Sequence, residues 1–133
     1  MQEENPIGKY LMVAVLIGGA FFFSQGSRKD IPLPKDSEFV GRVTNSVPVI
    51  VKFGAEWCPP CRQVELELDR LTHMYGNRVR VVKIDVDAQP KLAGYYRIGS
   101  IPHLMLFHYG KQIKELKGAR SAEELAEWAG IKQ

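Results

Sequence analysis

The chain has 133 residues, of which 45% are hydrophobic and 25% charged, as is typical of one globular domain and unlike a disordered chain. Two cysteines are too few for a secreted scaffold held together by many disulfides. The net charge is only +3 and the basic residues are scattered, so nothing in the composition indicates nucleic-acid binding.

The first predicted element is an apolar segment near the N-terminus. Residues 10–23 read YLMVAVLIGGAFFF without a charge, and Lys9 alone interrupts the extension of this stretch to Ile7. We interpret residues 1–27 as a hydrophobic helix that anchors the chain in a membrane. A cleaved signal peptide and a buried helix of the folded domain are the alternatives. Basic residues on both sides of the segment leave its orientation open.

A linker is predicted between this segment and the folded domain. Residues 24–35 read SQGSRKDIPLPK, and this content of serine, glycine and proline is typical of an extended connection. We assign residues 28–35 to the linker and residues 36–133 to a soluble domain.

The soluble domain is predicted to alternate helices with strands. In chain order, we expect a helix from an Asp36 or Ser37 cap to about Asn45, a strand at 48–54, a helix from Cys58 to about Tyr75, a strand at 78–85, a helix at 89–96, strands at 103–108 and 111–117, and a helix capped by Ser121 that runs to about Gly130. Strand–helix–strand units followed by a hairpin predict an α/β fold in which helices flank a mixed central sheet on both faces.

Cys58 and Cys61 are the candidate chemical site. The first turn of a helix has free backbone N–H groups, which favour the thiolate form of Cys58, and a spacing of three residues allows a disulfide with Cys61. Pro59 and Pro60 suit this turn, where an amide hydrogen is dispensable. A static disulfide and half of a zinc site are the alternatives. We expect no metal, since the chain has no second cysteine pair, and no covalent haem, since Arg62 stands where that site needs histidine.

The surrounding residues make the pattern more specific. The stretch GAEWCPPCR at 54–62, with Ser100-Ile101-Pro102 about 40 residues later, resembles the thioredoxin family, and the resemblance covers roughly residues 48–131. It implies the thioredoxin fold and a mechanism without a cofactor, in which Cys58 attacks a substrate disulfide and Cys61 resolves the mixed disulfide. It also implies a cis-proline at Pro102.

The same resemblance assigns residues around the two cysteines. Trp57, Ile101 and Gly118 would line the groove that binds substrate, while Trp57, Pro59, Pro60 and Pro102 would support the active site. Lys52 and Lys83 are two further candidate supporting residues of the active site.

The chain departs from the family pattern in the strand before the motif. Lys52 stands where the family usually has a buried aspartate, and Lys83 in the next strand would be its neighbour. Two buried ammonium groups repel each other, so we expect one to be neutral or displaced, or to find Glu56 or Asp85. A cation behind Cys61 would alter the redox chemistry; the alternative is that Lys52 reaches solvent and has no role. Gly54 replaces an aromatic residue, and His103 replaces a threonine after the proline; both changes are expected to alter the substrate groove.

The sequence favours a protein disulfide reductase, because Pro59 and Pro60 offer no histidine to stabilise a thiolate. A disulfide oxidase or isomerase and a non-catalytic docking module are the alternatives. An apolar N-terminal segment before such a domain resembles bacterial thioredoxins that are tethered to the inner membrane and face the periplasm. A membrane thiol-electron transporter would then be the electron donor; in a cytoplasm-facing protein the donor would be thioredoxin reductase. An exported soluble protein is the third possibility.

Overall fold

The computed structural model describes residues 31–132 of the chain. The segment interpreted as a membrane anchor or signal, residues 1–27, lies outside this range, as do the first three residues of the predicted linker. None of the helices formed by residues 31–132 is long and apolar enough to cross a membrane.

Four strands form one mixed sheet within these residues, in the order β2-β1-β3-β4. The strands are β1 (Val49–Gly54), β2 (Arg80–Asp85), β3 (His103–His108) and β4 (Lys111–Lys117). Strand β1 pairs in parallel with β2 and antiparallel with β3, and β3 pairs antiparallel with β4. All six residues of β1 are buried, which explains why its sequence is an almost unbroken apolar run.

Four α-helices within residues 31–132 accompany the sheet, and side-chain caps begin three of them. They are α1 (Ser37–Val43), α2 (Pro59–Tyr75), α3 (Pro90–Tyr95) and α4 (Ala122–Ala129). The Asp36 side chain accepts the Phe39 N–H group at the start of α1. A complete capping box between Ser121 and Glu124 begins α4, as the sequence predicted.

The helices cover both faces of the sheet, and a separate apolar core lies on each face. Phe53, Tyr96 and Phe107 contribute to the core on the α1 and α3 side, where their rings pack with centroids 5.8 to 6.0 Å apart. Leu68 of α2 and Leu125 of α4 belong to the other core. The predicted α/β fold with a mixed sheet flanked by helices is therefore confirmed for residues 31–132.

Two predicted boundaries are wrong by a few residues. The strand expected from Arg78 begins at Arg80, because Gly76–Arg78 forms a 3₁₀ turn after α2. Gly76 ends α2 with a φ of 53°, a backbone conformation that residues with a side chain rarely adopt. Helix α1 ends at Val43 rather than near Asn45, whose carbonyl accepts the Tyr109 N–H group instead of continuing the helix.

The last residues of the predicted linker contact the domain. Ile31 packs against the core on the α1 and α3 side, and the Pro32 carbonyl accepts a 2.6 Å hydrogen bond from the Tyr95 hydroxyl. Residues 31–34 have no regular secondary structure, in line with their prolines.

Candidate active site

The two cysteines lie at the junction of β1 and α2. Strand β1 ends at Gly54, and the short loop that follows delivers Cys58 to the N-cap position of α2. Pro59 and Pro60 occupy the first turn, where the sequence predicted them. The Cys58 Sγ atom accepts the Cys61 N–H group at 3.3 Å, so a backbone donor already points at the sulfur that would carry negative charge.

Cys58 and Cys61 form a disulfide in this structure, with their Cα atoms 5.2 Å apart. Their exposed fractions are 3% and 1%, so the second sulfur lies deeper than the first. Ala55 joins them in a small apolar cluster, against which Val86 and Ile101 pack. Cys58 is the cysteine next to the surface, because Trp57 and Pro59 on either side of it are exposed.

Trp57 is held at the rim of this cluster by a hydrogen bond. Its side chain is 68% exposed, and its Nε1 atom donates to Asp87 Oδ2 at 2.7 Å. Asp87 follows β2, thirty residues away in sequence, and sequence reasoning did not identify it. An indole fixed at one edge leaves its ring available to a bound chain.

The loop before β3 brings further predicted groove residues to the same end of the sheet. The Ile101–Pro102 peptide bond is cis, the form that the resemblance implies. Gly118 has a φ of 87°, a conformation natural to glycine, and its N–H group donates to the Pro102 carbonyl at 2.9 Å. This bond ties the end of β4 to the loop that carries Ile101.

Lys83 is the displaced member of the lysine pair, which is one of the outcomes expected for two ammonium groups that would otherwise meet in the interior. The two lysines are register partners on β2 and β1, but the Lys83 side chain is 43% exposed. Its ammonium group lies 3.1 Å from the Asp69 carboxylate on α2. Lys83 is on the outer strand of the described sheet, so its long side chain reaches solvent and a second buried cation is avoided.

Lys52 is the buried member, with 4% of its surface exposed. Its ammonium group pairs with the carboxylate of Glu65 on α2. The expected partners were Glu56 and Asp85, and that expectation is wrong. Glu56 is exposed, and Asp85 instead accepts backbone N–H groups from the turn that follows it. The alternative that Lys52 reaches solvent is therefore wrong.

Glu65 is, after Asp87, the second residue of this site that sequence reasoning missed. It lies four residues after Cys61, and residues with that spacing share one face of a helix. This spacing was the available signal, although it could not indicate that the strand opposite carries the partner cation.

Lys52 and the resolving cysteine both crowd the position where a side chain of Gly54 would begin. A Cβ atom at this position would lie 3.1 Å from Lys52 Nζ and 3.2 Å from Cys61 Sγ. The ammonium group and the sulfur therefore both border a space at Gly54 that is too small for a methyl group. The glycine affects the interior rather than the substrate groove, where an effect was expected.

His103 lies on the other face of the sheet, so it does not reach the groove directly. It is 2% exposed and is the register partner of Phe53, whose side chain belongs to the core on the α1 and α3 side. Its Nε2 atom lies 3.2 Å from Glu115 Oε2 on β4.

Within residues 31–132, no group of three or more His, Cys, Asp or Glu side chains could hold a metal ion.

The family model for thioredoxin matches residues 31–130 of this chain. Thioredoxin 1 of Synechococcus elongatus is 42% identical over 82 residues, which cover 62% of this chain and 77% of that protein. The thioredoxin of a Synechocystis species is 40% identical over 96 residues, covering 71% and 90%. A solved structure from work on thiol resolution in a yeast mitochondrial 1-Cys peroxiredoxin superposes with a TM-score of 0.65, at 26% identity, over 78% of this chain and 96% of that one.

Proteins of the matched family act on protein disulfides through a redox-active cysteine pair that needs no added cofactor, and an upstream reductant restores the dithiol. Cys58 and Cys61 form such a pair at the start of α2. Because the match extends over the whole described sheet and its helices, the chain belongs to the thioredoxin family and is a thiol-disulfide oxidoreductase.

Proposed function

We propose that this protein is a membrane-tethered disulfide reductase that passes two electrons from an upstream donor to disulfides in client proteins. The observation that carries the proposal is the position of Cys58 at the N-cap of α2, with the Cys61 N–H group directed at its sulfur. A donor so placed stabilises the thiolate, which is the nucleophile in thiol-disulfide exchange.

The reaction has two exchange steps. The Cys58 thiolate attacks one sulfur of the client disulfide, so a Cys58–client disulfide forms and the first client thiolate leaves. Cys61, as a thiolate, then attacks the Cys58 sulfur and releases the second client thiolate. The client is reduced, and the enzyme keeps the Cys58–Cys61 disulfide that the structure contains.

Reduction is favoured over oxidation by the residues between the cysteines. Pro59 and Pro60 carry no ionisable group, so nothing between the cysteines adds charge that would stabilise the dithiol and make the protein an oxidant. The relatives from Synechococcus and Synechocystis are both named thioredoxin. A disulfide oxidase or isomerase is the alternative.

The client would bind as an extended segment beside the cysteines. Trp57 supplies an exposed ring, Ile101 packs against the cysteine cluster, and Gly118 closes the groove by its bond to the Pro102 carbonyl. Backbone groups of the Ile101 loop would pair with the client in the manner of an added strand.

Lys52 would influence the second step. Its buried ammonium group borders the same space as Cys61 Sγ, and a cation favours the thiolate form of a nearby thiol. Lys52 and the buried Pro102, which follows Ile101 in the loop before β3, are supporting residues of the site. Lys83 lies too near the surface to act there.

The tether and the compartment rest on the apolar stretch at residues 10–23. A single-pass anchor in a bacterial inner membrane would place the domain in the periplasm, where a membrane thiol-electron transporter would reduce it. If the domain faces the cytoplasm, thioredoxin reductase would be the donor. Fusions of the full chain to reporters that are active on only one side of the membrane test this assignment. Recovery of the protein in soluble form, with the N-terminal segment removed, would contradict the anchor.

The reductase assignment is tested by the reduction potential of the Cys58–Cys61 pair. The full-length chain is equilibrated against a series of dithiothreitol or glutathione ratios, and the thiols are trapped by alkylation. A value near about −270 mV is expected for a reductase. A value above about −180 mV would indicate an oxidase or isomerase. If Cys58→Ser supports the same biological activity as the wild type, the protein is a docking module.

A further inference from the structure

The buried side of α2 carries a carboxylate that the two exchange steps do not use. Glu65 pairs through Oε1 with the ammonium group of Lys52. The Lys52 side chain is 5% exposed and the Glu65 side chain 36% exposed. The pair therefore runs from the interior behind the cysteines to the solvent.

The inner end of this pair lies at the resolving cysteine. Lys52 Nζ and Cys61 Sγ both lie within 3.2 Å of the position that a Gly54 Cβ atom would occupy. Cys61 is 1% exposed, so water has little direct access to its sulfur. The ammonium group is the nearest atom to this position, and Glu65 is its partner on the solvent side.

Cys61 must lose a proton before it can attack the mixed disulfide. Ionising a thiol in the interior is costly when it creates a new charge there. A Cys61 thiol, a Lys52 ammonium and a Glu65 carboxylate carry no net charge together. The same holds for a Cys61 thiolate, a Lys52 ammonium and a protonated Glu65, so moving the proton across the lysine changes no net charge in the interior.

We propose that Glu65 is the outlet for the proton of the resolving cysteine and acts through Lys52. Lys52 gives one proton to the Glu65 carboxylate and takes the proton of the Cys61 thiol, which leaves a thiolate, an ammonium ion and a carboxylic acid. The thiolate then attacks Cys58, the client thiolate leaves, and Glu65 returns its proton to solvent. This inference rests on the proposed reductase function, and Glu65 is a positioning residue because it acts through Lys52.

The neighbouring charges do not offer a second route. Lys83 is the register partner of Lys52 on β2, but it is directed to the surface and paired with Asp69. On the other side, Lys52 faces Leu104 of β3, which is apolar and buried. Asp69 lies four residues after Glu65 on the same helix and forms an exposed ion pair, which makes it a matched control.

The test separates the two exchange steps in time. The reduced full-length chain is mixed with an oxidised peptide that carries a different fluorophore on each half, and both releases are followed by rapid mixing between about pH 5 and pH 9. The first release reports attack by Cys58, and the second reports resolution by Cys61. Wild type, Glu65→Gln, Lys52→Met and Asp69→Asn are compared.

Glu65→Gln is expected to slow the second release about tenfold or more near pH 6 and to match the wild type near pH 9. The reason is that a carboxylate still accepts a proton in weak acid. Without the carboxylate, only an amine or hydroxide can accept the proton of the Cys61 thiol. Lys52→Met should give the same profile, and the double variant should lose no more than either single one. Asp69→Asn should behave as the wild type.

Three results would overturn the inference. They are a Glu65→Gln profile that superposes on the wild type, a loss of equal size at every pH, and the same loss in Asp69→Asn. Absence of the first release in the wild type would instead contradict the reductase function, so the two failures are distinguishable. Because Lys52→Met replaces a buried cation by an apolar chain of similar length, it keeps the test valid if Glu65→Gln folds poorly.

Discussion

Lys52 and Lys83 are register partners on adjacent parallel strands, yet only Lys52 is buried. Lys52 lies on the central strand β1, where α2 covers it and Glu65 neutralises it. Lys83 lies on the outer strand, where Asp69 meets it at the surface. Two lysines at the same level of the sheet thus differ in burial and in partner, because α2 covers only the Lys52 position.

The two ends of the buried ion pair should differ in their contribution to stability. Glu65→Gln leaves a buried ammonium group without its counter-charge, and we expect the free energy of unfolding to fall by about 1–3 kcal/mol. Lys52→Met leaves a carboxylate that water already reaches, so a change below about 1 kcal/mol is expected. Urea unfolding of the oxidised variants measures both values. Equal losses would contradict this asymmetry.

Lys52→Asp should shift the pH dependence of disulfide reduction. The substitution replaces the cation near Cys61 with a carboxylate facing Glu65, and negative charge disfavours the thiolate. We expect the midpoint of the pH–rate profile to rise by about one pH unit. The measurement is the rate of disulfide reduction with dithiothreitol as donor. A profile identical to that of the wild type would mean that Lys52 has no influence on the reaction.

Gly54→Ala should disturb the interior without touching the groove. The new methyl group would lie 3.1 Å from Lys52 Nζ and 3.2 Å from the Cβ and Sγ atoms of Cys61, so these atoms must shift. We expect a loss of about 1–3 kcal/mol in the free energy of unfolding and a slower second release, with the first release unchanged. Gly41→Ala, where a Cβ atom meets nothing within 4 Å, is the control.

Trp57→Phe should slow client reduction with little effect on stability. The substitution keeps an aromatic ring but removes the donor that binds Asp87 at 2.7 Å. Because this hydrogen bond is exposed, we expect the free energy of unfolding to fall by less than about 1 kcal/mol. We expect a several-fold rise in the KM for a disulfide peptide. Asp87→Ala should reproduce the effect, and Asp87→Asn, which keeps an acceptor, should not. An unchanged KM would show that the indole needs no fixed position.

The capping box of α4 should make stability depend on pH in the acid range. The Ser121 N–H group, which donates to the Glu124 carboxylate, lowers the pKa of Glu124 below its ordinary value. A carboxyl group whose pKa is lower in the folded state stabilises above its unfolded pKa of about 4.3 and loses this effect as the pH falls through the folded value. The Tm difference between wild type and Glu124→Ala should therefore narrow on going from about pH 7 to pH 3. A Tm difference that does not change with pH would show that the capping box is not its source.

The sequence by itself was sufficient for the element order and the position of the dithiol. The apolar run of β1, the glycine after α2 and the Ser121–Glu124 box act over a few residues, so their structural outcome is set by local hydrogen bonds and by periodicity. The cysteine pair at a helix start is likewise a local pattern. The largest differences, of two residues each, are at the end of α1 and the start of β2, where turns compete with regular structure.

Only the tertiary structure decided which groups surround the cysteines. Glu65 is thirteen residues from Lys52, and Asp87 is thirty from Trp57, so neither pair follows from spacing along the chain. Both depend on how α2 lies across β1 and on where the turn after β2 ends. A buried charge takes the partner that packing brings within reach, because the cost of leaving it alone exceeds any preference of the local sequence.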